Sequence, residues 1–131
     1  MSETDNAKLA RKMLEMHASH QQGWVEVCYH PDCEWVELPI PGQSKGRGGN
    51  AAALSAAADA SANVFPSIDI VINNIISADE LVALEIDFVG TMAKKPGSDK
   101  PPKTTTVKMA IFLTFNDGLI VRQTDYLIPT A

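Results

Sequence analysis

The chain has 131 residues, the size of one domain and enough to enclose a core with a small pocket. Its 16 acidic residues outnumber 11 basic ones for a net charge of −5, which excludes the basic groove that a nucleic acid requires. No apolar stretch approaches membrane-spanning length, and Met1-Ser2-Glu3-Thr4-Asp5 lacks the basic-then-apolar pattern of a signal peptide, so no membrane contact and a cytoplasmic location are expected.

In chain order, Thr4 or Asp5 can cap a first helix in which Leu9, Met13, Met16 and His20 recur at helical spacing. His17 borders that stripe and can reach the mouth of a pocket. Gly23 interrupts the pattern, and a second, short helix runs from about Trp24 to before Pro31. Cys28, His30 and Cys33 lack a fourth ligand at any usual zinc spacing, so two reduced, buried thiols are expected and no metal. Cys33 to Leu38 alternates as a strand, closed by Pro39-Ile40-Pro41-Gly42. Gly46-Arg47-Gly48-Gly49 follows neither the P-loop nor the dinucleotide spacing and reads as a turn, with Arg47 in a structural role. Asn50 caps an alanine-rich helix reaching about Asn63.

From Ser67 the character changes. Ser67 to Ile76, Leu81 to Met92, Thr104 to Phe115 and Leu119 to Ile128 read as four strands, with Lys94-Lys95, Lys100 and Lys103 among prolines forming a solvated hairpin tip. Helices followed by a meander predict one α+β domain over residues 1–131. Its N-terminal helices pack on one face of a strongly curved antiparallel sheet that encloses a pocket.

The last strand carries the chemistry. Asn116-Asp117-Gly118 reads as a tight hairpin turn, and steps of two from it place Leu119, Val121, Gln123, Asp125 and Leu127 on one face, with Ile120, Arg122, Thr124 and Tyr126 on the other. The first set joins Val107, Met109, Ile111, Leu113 and Phe115 of the preceding strand in the core. Asp125 is then an acid among hydrophobes, and stranding its charge there would cost on the order of several kcal/mol unless it is paired, hydrogen-bonded or protonated.

The order of elements resembles the SnoaL-like branch of the NTF2-like cone-fold superfamily. The residues that carry the likeness are Trp35-Val36-Glu37-Leu38-Pro39-Ile40-Pro41, Gly46-Arg47, Ser67-Ile68-Asp69, Leu84-Glu85-Ile86-Asp87, Gly118-Leu119-Ile120 and Asp125-Tyr126. That superfamily includes polyketide cyclases, ketosteroid isomerases and limonene-epoxide hydrolases. The resemblance implies Asp125 as the proton-removing base and Asp87 as an acid, with Glu85 standing where the hydrolases carry a bridging Arg. It places Trp35 and Glu37 at the water-holding positions and Gln123 near the base, with Trp35 a flat wall for a ring. Met109 is read as pocket wall, and His17 completes the expected substrate-binding set.

Alternation alone turns Val82, Leu84, Ile86 and Phe88 toward the core and leaves Glu85 and Asp87 outside; the resemblance implies the reverse. The two agree if the apolar row is covered in a homodimer through the outer face of the sheet, and the inward placement of Glu85 and Asp87 is the one adopted. The expected activity is cofactor-independent proton transfer, of isomerase or cyclase type, on a hydrophobic cyclic or polyketide-like small molecule. An epoxide hydrolase with a rebuilt acid network and a non-catalytic binding module are the alternatives.

Overall fold

A computed structural model describes residues 3–42 and 45–129; Met1 and Ser2, the start of the segment examined for a signal peptide, lie outside them. Three helices, α1 (Asp5–Ala18), α2 (Trp24–Cys28) and α3 (Ala51–Val64), accompany six strands. The strands are β1 (Tyr29–Glu37), β2 (Arg47–Gly49), β3 (Ser67–Ala78), β4 (Leu81–Thr91), β5 (Thr104–Asn116) and β6 (Leu119–Pro129). The caps form as their residue types dictate, Thr4 accepting from the Ala7 N–H and Asn50 from the Ala53 N–H. The Thr4 hydroxyl also meets Ser77 Oγ at 2.6 Å, which ties the start of α1 to the far end of β3.

The sheet runs β2-β1-β6-β5-β4-β3 and is mixed, not wholly antiparallel as expected, because β1 and β6 pair in parallel. Parallel neighbours need a long connection, and here β2 to β5 intervene before β6 returns beside β1. The first strand begins at Tyr29, earlier than Cys33. Tyr29 pairs with Ile120 and regular pairing resumes at Glu34 with Arg122, so Pro31 falls in the irregular stretch between them, where its missing N–H costs no ladder bond.

Arg47–Gly49, expected as a turn, is instead the short edge strand β2 on β1. Gly48 permits this close pairing, since a Cβ there would clash with the Trp35 carbonyl oxygen. Gly48→Ala is therefore expected to push β2 off the edge and to destabilise the fold by about 1–3 kcal/mol. A denaturant melt checks it; unchanged stability would mean the two strands separate without penalty.

Asp117 and Gly118 both take positive φ, 51° and 79°, and close the β5–β6 hairpin. Beyond the turn the simple count of two fails for two residues. Phe115 pairs with Ile120 and Thr114 with Arg122, so the register shifts at Val121 and a bulge carries Ile120 to the core side, where it is fully buried. Past the bulge the alternation resumes in the expected phase, and Gln123 and Asp125 face inward.

The core lies between the helices and the concave face of the sheet, with Met13, Trp24, Tyr29, Trp35, Ile86, Leu113 and Phe115 among its members. Val82, Leu84 and Ile86 belong to it too. This corrects the adopted placement on β4: its apolar row faces inward, and Glu85 and Asp87 face outward. Glu85 accepts from Asn74 Nδ2 at 2.6 Å; Asp87 accepts from Lys108 Nζ at 3.0 Å and Asn73 Nδ2 at 3.2 Å. The physical reason is local. With α1 on β3 and β4, only one face of β4 meets apolar partners, and strict alternation holds.

Candidate active site

Between α1, α2, α3 and the concave face lies a cavity of about 210 Å³, lined largely by apolar side chains such as Met13, Leu54, Ile86, Met109 and Ile111. Polar atoms enter it from few directions. Asp125 and Gln123 come from β6, Trp35 and Glu37 from β1, Arg47 from β2 and His17 from α1. The parallel register, Trp35 beside Gln123 and Glu37 beside Asp125, gathers the four residues of β1 and β6 into one patch.

Asp125 is only 4 % exposed. Trp35 Nε1 donates to its Oδ2 at 3.1 Å and Gln123 Nε2 donates to its Oδ1 at 2.9 Å. Burial pushes its pKa up to about 6; the bonds from Trp35 and Gln123 oppose that rise, the charge of Glu37 adds to it, and Arg47 works against it. Both neighbours offer only N–H groups, so they support the anion. Each carboxylate oxygen accepts one bond and keeps a lone pair. At pH 7 the group is mainly ionised and poised near neutrality, as a general base should be.

Behind Asp125 stands Tyr29, a buried residue at the start of β1 that sequence analysis did not single out. Its hydroxyl donates to Gln123 Oε1. Burial and the nearby Asp125 charge hold Tyr29 protonated, its pKa raised well above the ordinary value, so it acts as a donor throughout the working range. That donor fixes the Gln123 amide with its NH₂ toward Asp125. Tyr29→Phe leaves a buried Gln123 oxygen unsatisfied, a cost of about 1–3 kcal/mol, and frees the amide to turn. The expected outcome is a lower melting temperature together with an Asp125 titration moved further upward, read from a pH–rate profile. A variant with both unchanged would show that Tyr29 does not orient the amide.

Glu37 is neutralised by Arg47, whose Nε lies 3.1 Å from Oε1, while the guanidinium sits 5.3 Å from the centroid of the Trp35 ring. Arg47 thus bridges the wall residue and the second acid. The sequence offered no sign of this beyond a cation between glycines, because the contact depends on β2 pairing with β1. On α1, His17 stacks on Trp24 with centroids 4.8 Å apart. Its pKa is lowered to about 4 by burial, then by the charges of His20 and Arg47, so the ring is neutral at pH 7.

Of the residues singled out from the sequence, the fold brings Asp125, Trp35, Glu37, Gln123, Met109 and His17 around one cavity. Glu85 and Asp87 are not among its lining. Cys28 and Cys33 are buried free thiols whose pKa values burial raises, and among the described residues no group of three or more His, Cys, Asp or Glu side chains is placed to hold a metal ion. No described helix is long and apolar enough to cross a membrane.

Helices packed on a curved six-stranded sheet, with a polar patch on the last strand facing an apolar cavity, define an NTF2-like α+β protein. Residues 10–123 match the SnoaL-like domain, and the chain belongs to that family. No protein of curated function matches it in sequence. Among solved structures, AclR of Streptomyces galilaeus, described as a candidate hydroxylase, is similar at TM-score 0.77 and 16% identity over 97% of this chain and 91% of its own. IdmH of Streptomyces antibioticus, described as a candidate polyketide cyclase, gives TM-score 0.77 and 17% identity over 95% and 92%. A candidate polyketide cyclase of Acidithiobacillus ferrooxidans gives 0.71 and 18% over 97% and 91%. At these identities the likeness concerns the fold.

Proposed function

We propose that this SnoaL-like protein is an enzyme of isomerase or cyclase type that moves a proton on a hydrophobic ring-containing molecule, with Asp125 as the base. One observation carries the reading: a buried carboxylate, held by two donors and aimed into an apolar cavity, with its pKa near 6. The cavity is smaller than the range of about 300–1,000 Å³ usual for drug-sized ligands, which favours a compact ring system. Trp35 supplies a flat wall and Arg47 closes one side. Names of similar proteins as polyketide cyclases agree with this class of chemistry. The hydrolase alternative loses its support, since its acid and bridging positions, Asp87 and Glu85, lie on the opposite face.

The direct test is proton exchange. Incubating the protein in D₂O with 2-indanone or 2-tetralone and following loss of the α-proton signals by NMR should show acceleration over buffer that depends on Asp125. Exchange at the buffer rate across such ketones would favour a binding module.

We propose in addition that a second copy covers the outer face of the sheet. Phe112 and Tyr126, 52% and 45% exposed, pack edge to face there at 5.7 Å, and Val36, Ile76 and Ile128 are also exposed large hydrophobics. An apolar patch of this kind on a sheet marks an interface. These residues replace the β4 row named from the sequence. Phe112→Lys is expected to shift a dimer to monomer in light scattering while cavity binding persists; a wild-type protein that is monomeric at micromolar concentration would refute the proposal.

A further inference from the structure

The ionisable side chains described in the cavity wall come from four elements: His17 from α1, Tyr29 and Glu37 from β1, Arg47 from β2 and Asp125 from β6. Their charges do not cancel. Arg47 is taken up by Glu37, its Nε and Nη2 lying 3.1 and 3.4 Å from the two carboxylate oxygens. Burial keeps Tyr29 protonated and His17 unprotonated at pH 7, so both are neutral. The charge left over in the wall is that of Asp125, which is held by two neutral donors, Trp35 and Gln123. A single negative charge in a largely apolar cavity is most stabilised by a positive one, because Coulomb attraction strengthens as polarity falls. The rest of the wall suits a cation too. Trp24, Phe65 and Phe88 line it, the two Phe rings packing edge to face at 5.8 Å, and aromatic faces attract positive charge and repel negative.

The polar groups around Asp125 are turned toward carboxylates or toward one another: Trp35 and Gln123 donate to Asp125, Tyr29 to Gln123 and Arg47 to Glu37. Ser61 and Thr105 add neutral hydroxyls to the wall. This arrangement holds negative charge on the protein and is not built to receive more of it on a ligand. We propose that the cavity takes a compact ring compound with one positive charge on nitrogen, Asp125 being its counter-ion, and that the proton Asp125 removes lies next to an iminium carbon. The catalytic half rests on Asp125 being the base; the binding half needs only its charge. The C–H bond beside the iminium carbon breaks and the proton goes to an Asp125 oxygen. The freed electron pair forms a C=C bond to the iminium carbon, and the C=N π pair moves to nitrogen. An anion and a cation thereby become a carboxylic acid and a neutral enamine. Return of the proton to the same carbon is exchange, and its return to the far end of a conjugated double bond is isomerisation. Mutual neutralisation of this kind is favoured where polarity is low, whereas a ketone would pass the negative charge to its oxygen and leave it buried.

The test puts three charges on one bicycle: 2-aminotetralin, a cation between pH 5 and 7, neutral 2-tetralone, and the anion tetralin-2-carboxylate. Calorimetry at pH 7 should show wild type binding the amine at least about tenfold more tightly than the ketone, the scale of a charge-assisted hydrogen bond, and the carboxylate most weakly. Asp125→Asn should lose the preference for the amine. A measurement on wild type needs no variant: the preference should fade as pH drops from 7 to 5 and Asp125 takes up a proton, while His17 stays mainly neutral and the Glu37–Arg47 pair still faces the cavity. For the catalytic half, exchange of the C1-methyl protons of 1,2-dimethyl-3,4-dihydroisoquinolinium in D₂O, followed by NMR, should be accelerated over buffer by a larger factor than the α-protons of 2-tetralone. Acceleration of both that survives in Asp125→Asn, with the amine still preferred by wild type, would overturn the base reading and leave the cation site standing. Ketone or carboxylate bound as tightly as the amine, or a preference unchanged by Asp125→Asn and by pH, would overturn the cation site. Iminium exchange accelerated no more than ketone exchange would overturn the choice of substrate.

Discussion

Asp125→Asn is expected to lose on the order of 10²- to 10⁴-fold in turnover while the protein stays folded, because the substitution keeps size and hydrogen bonding but cannot accept the substrate proton. The network can accommodate the amide. If Asn Nδ2 faces Gln123, the Gln123 amide can turn to present Oε1, with its NH₂ then directed at the Tyr29 hydroxyl, which can also accept; the Trp35 N–H keeps its bond to the remaining oxygen. At pH 7 the variant also escapes the cost of ionising a buried carboxyl. A pKa raised from 3.8 to about 6 corresponds to roughly 3 kcal/mol, partly offset by the less suitable hydrogen-bond set. Activity collapsing with stability equal or higher is the outcome that identifies a catalytic base. A structural carboxylate that anchors Trp35 and Gln123 would instead give a marked loss of melting temperature and little change in α-proton exchange. The wild-type rate should rise as pH increases through about 6, the limb set by ionisation of Asp125, and an Asn variant with residual activity should lack that limb.

The second large effect is a pair of opposed pH dependences in stability. Asp125 has its pKa raised on folding, so its contribution is fully present below its ordinary value of 3.8 and is lost as pH rises through about 6. His17 has its pKa lowered, so its contribution is present above 6.5 and is lost as pH falls through about 4. Each amounts to something like 3 kcal/mol, and over the window between they largely cancel in the wild type. Removing one exposes the other. Relative to wild type, Asp125→Asn should be most favoured above pH 6 and lose that advantage toward pH 4, whereas His17→Phe should gain relative stability as pH falls from 6.5 to 4. Urea midpoints for the three proteins at pH 4, 5, 6 and 7 check this, with the comparison to wild type removing the titrations all three share. Three parallel curves would mean that neither side chain is held in the protonation state assigned to it.

These predictions rest on residues of unequal visibility. Asp125 could be found by counting from a turn, since a strand two residues per period fixes which side chains share a face and an acid among hydrophobes breaks the pattern. The same count misplaced Ile120, because a single bulge at Val121 changes phase without leaving a mark in the composition. On β4 the alternation was correct and the family resemblance misled: matching Leu84-Glu85-Ile86-Asp87 to a motif carried no information on which face the motif presents here. Asp87, the acid that the resemblance supplied, does not enter the site.

By itself the sequence determined the α+β class, the helix starts at Thr4 and Asn50, the β5–β6 hairpin and the inward acid, all features set by interactions within a turn, a helix or a pair of adjacent strands. What surrounds Asp125 was decided only in three dimensions. Tyr29 reaches Gln123, and Trp35 reaches Asp125, through a parallel pairing of β1 with β6 that joins segments separated by most of the chain, and Arg47 reaches Glu37 only because Gly48 lets β2 lie against β1. His17 meets the cavity because α1 packs across β3 and β4. Local periodicity fixes which face of an element is apolar, but the choice of neighbour depends on how the apolar faces of all the elements can be buried together, and no single stretch of sequence holds that information.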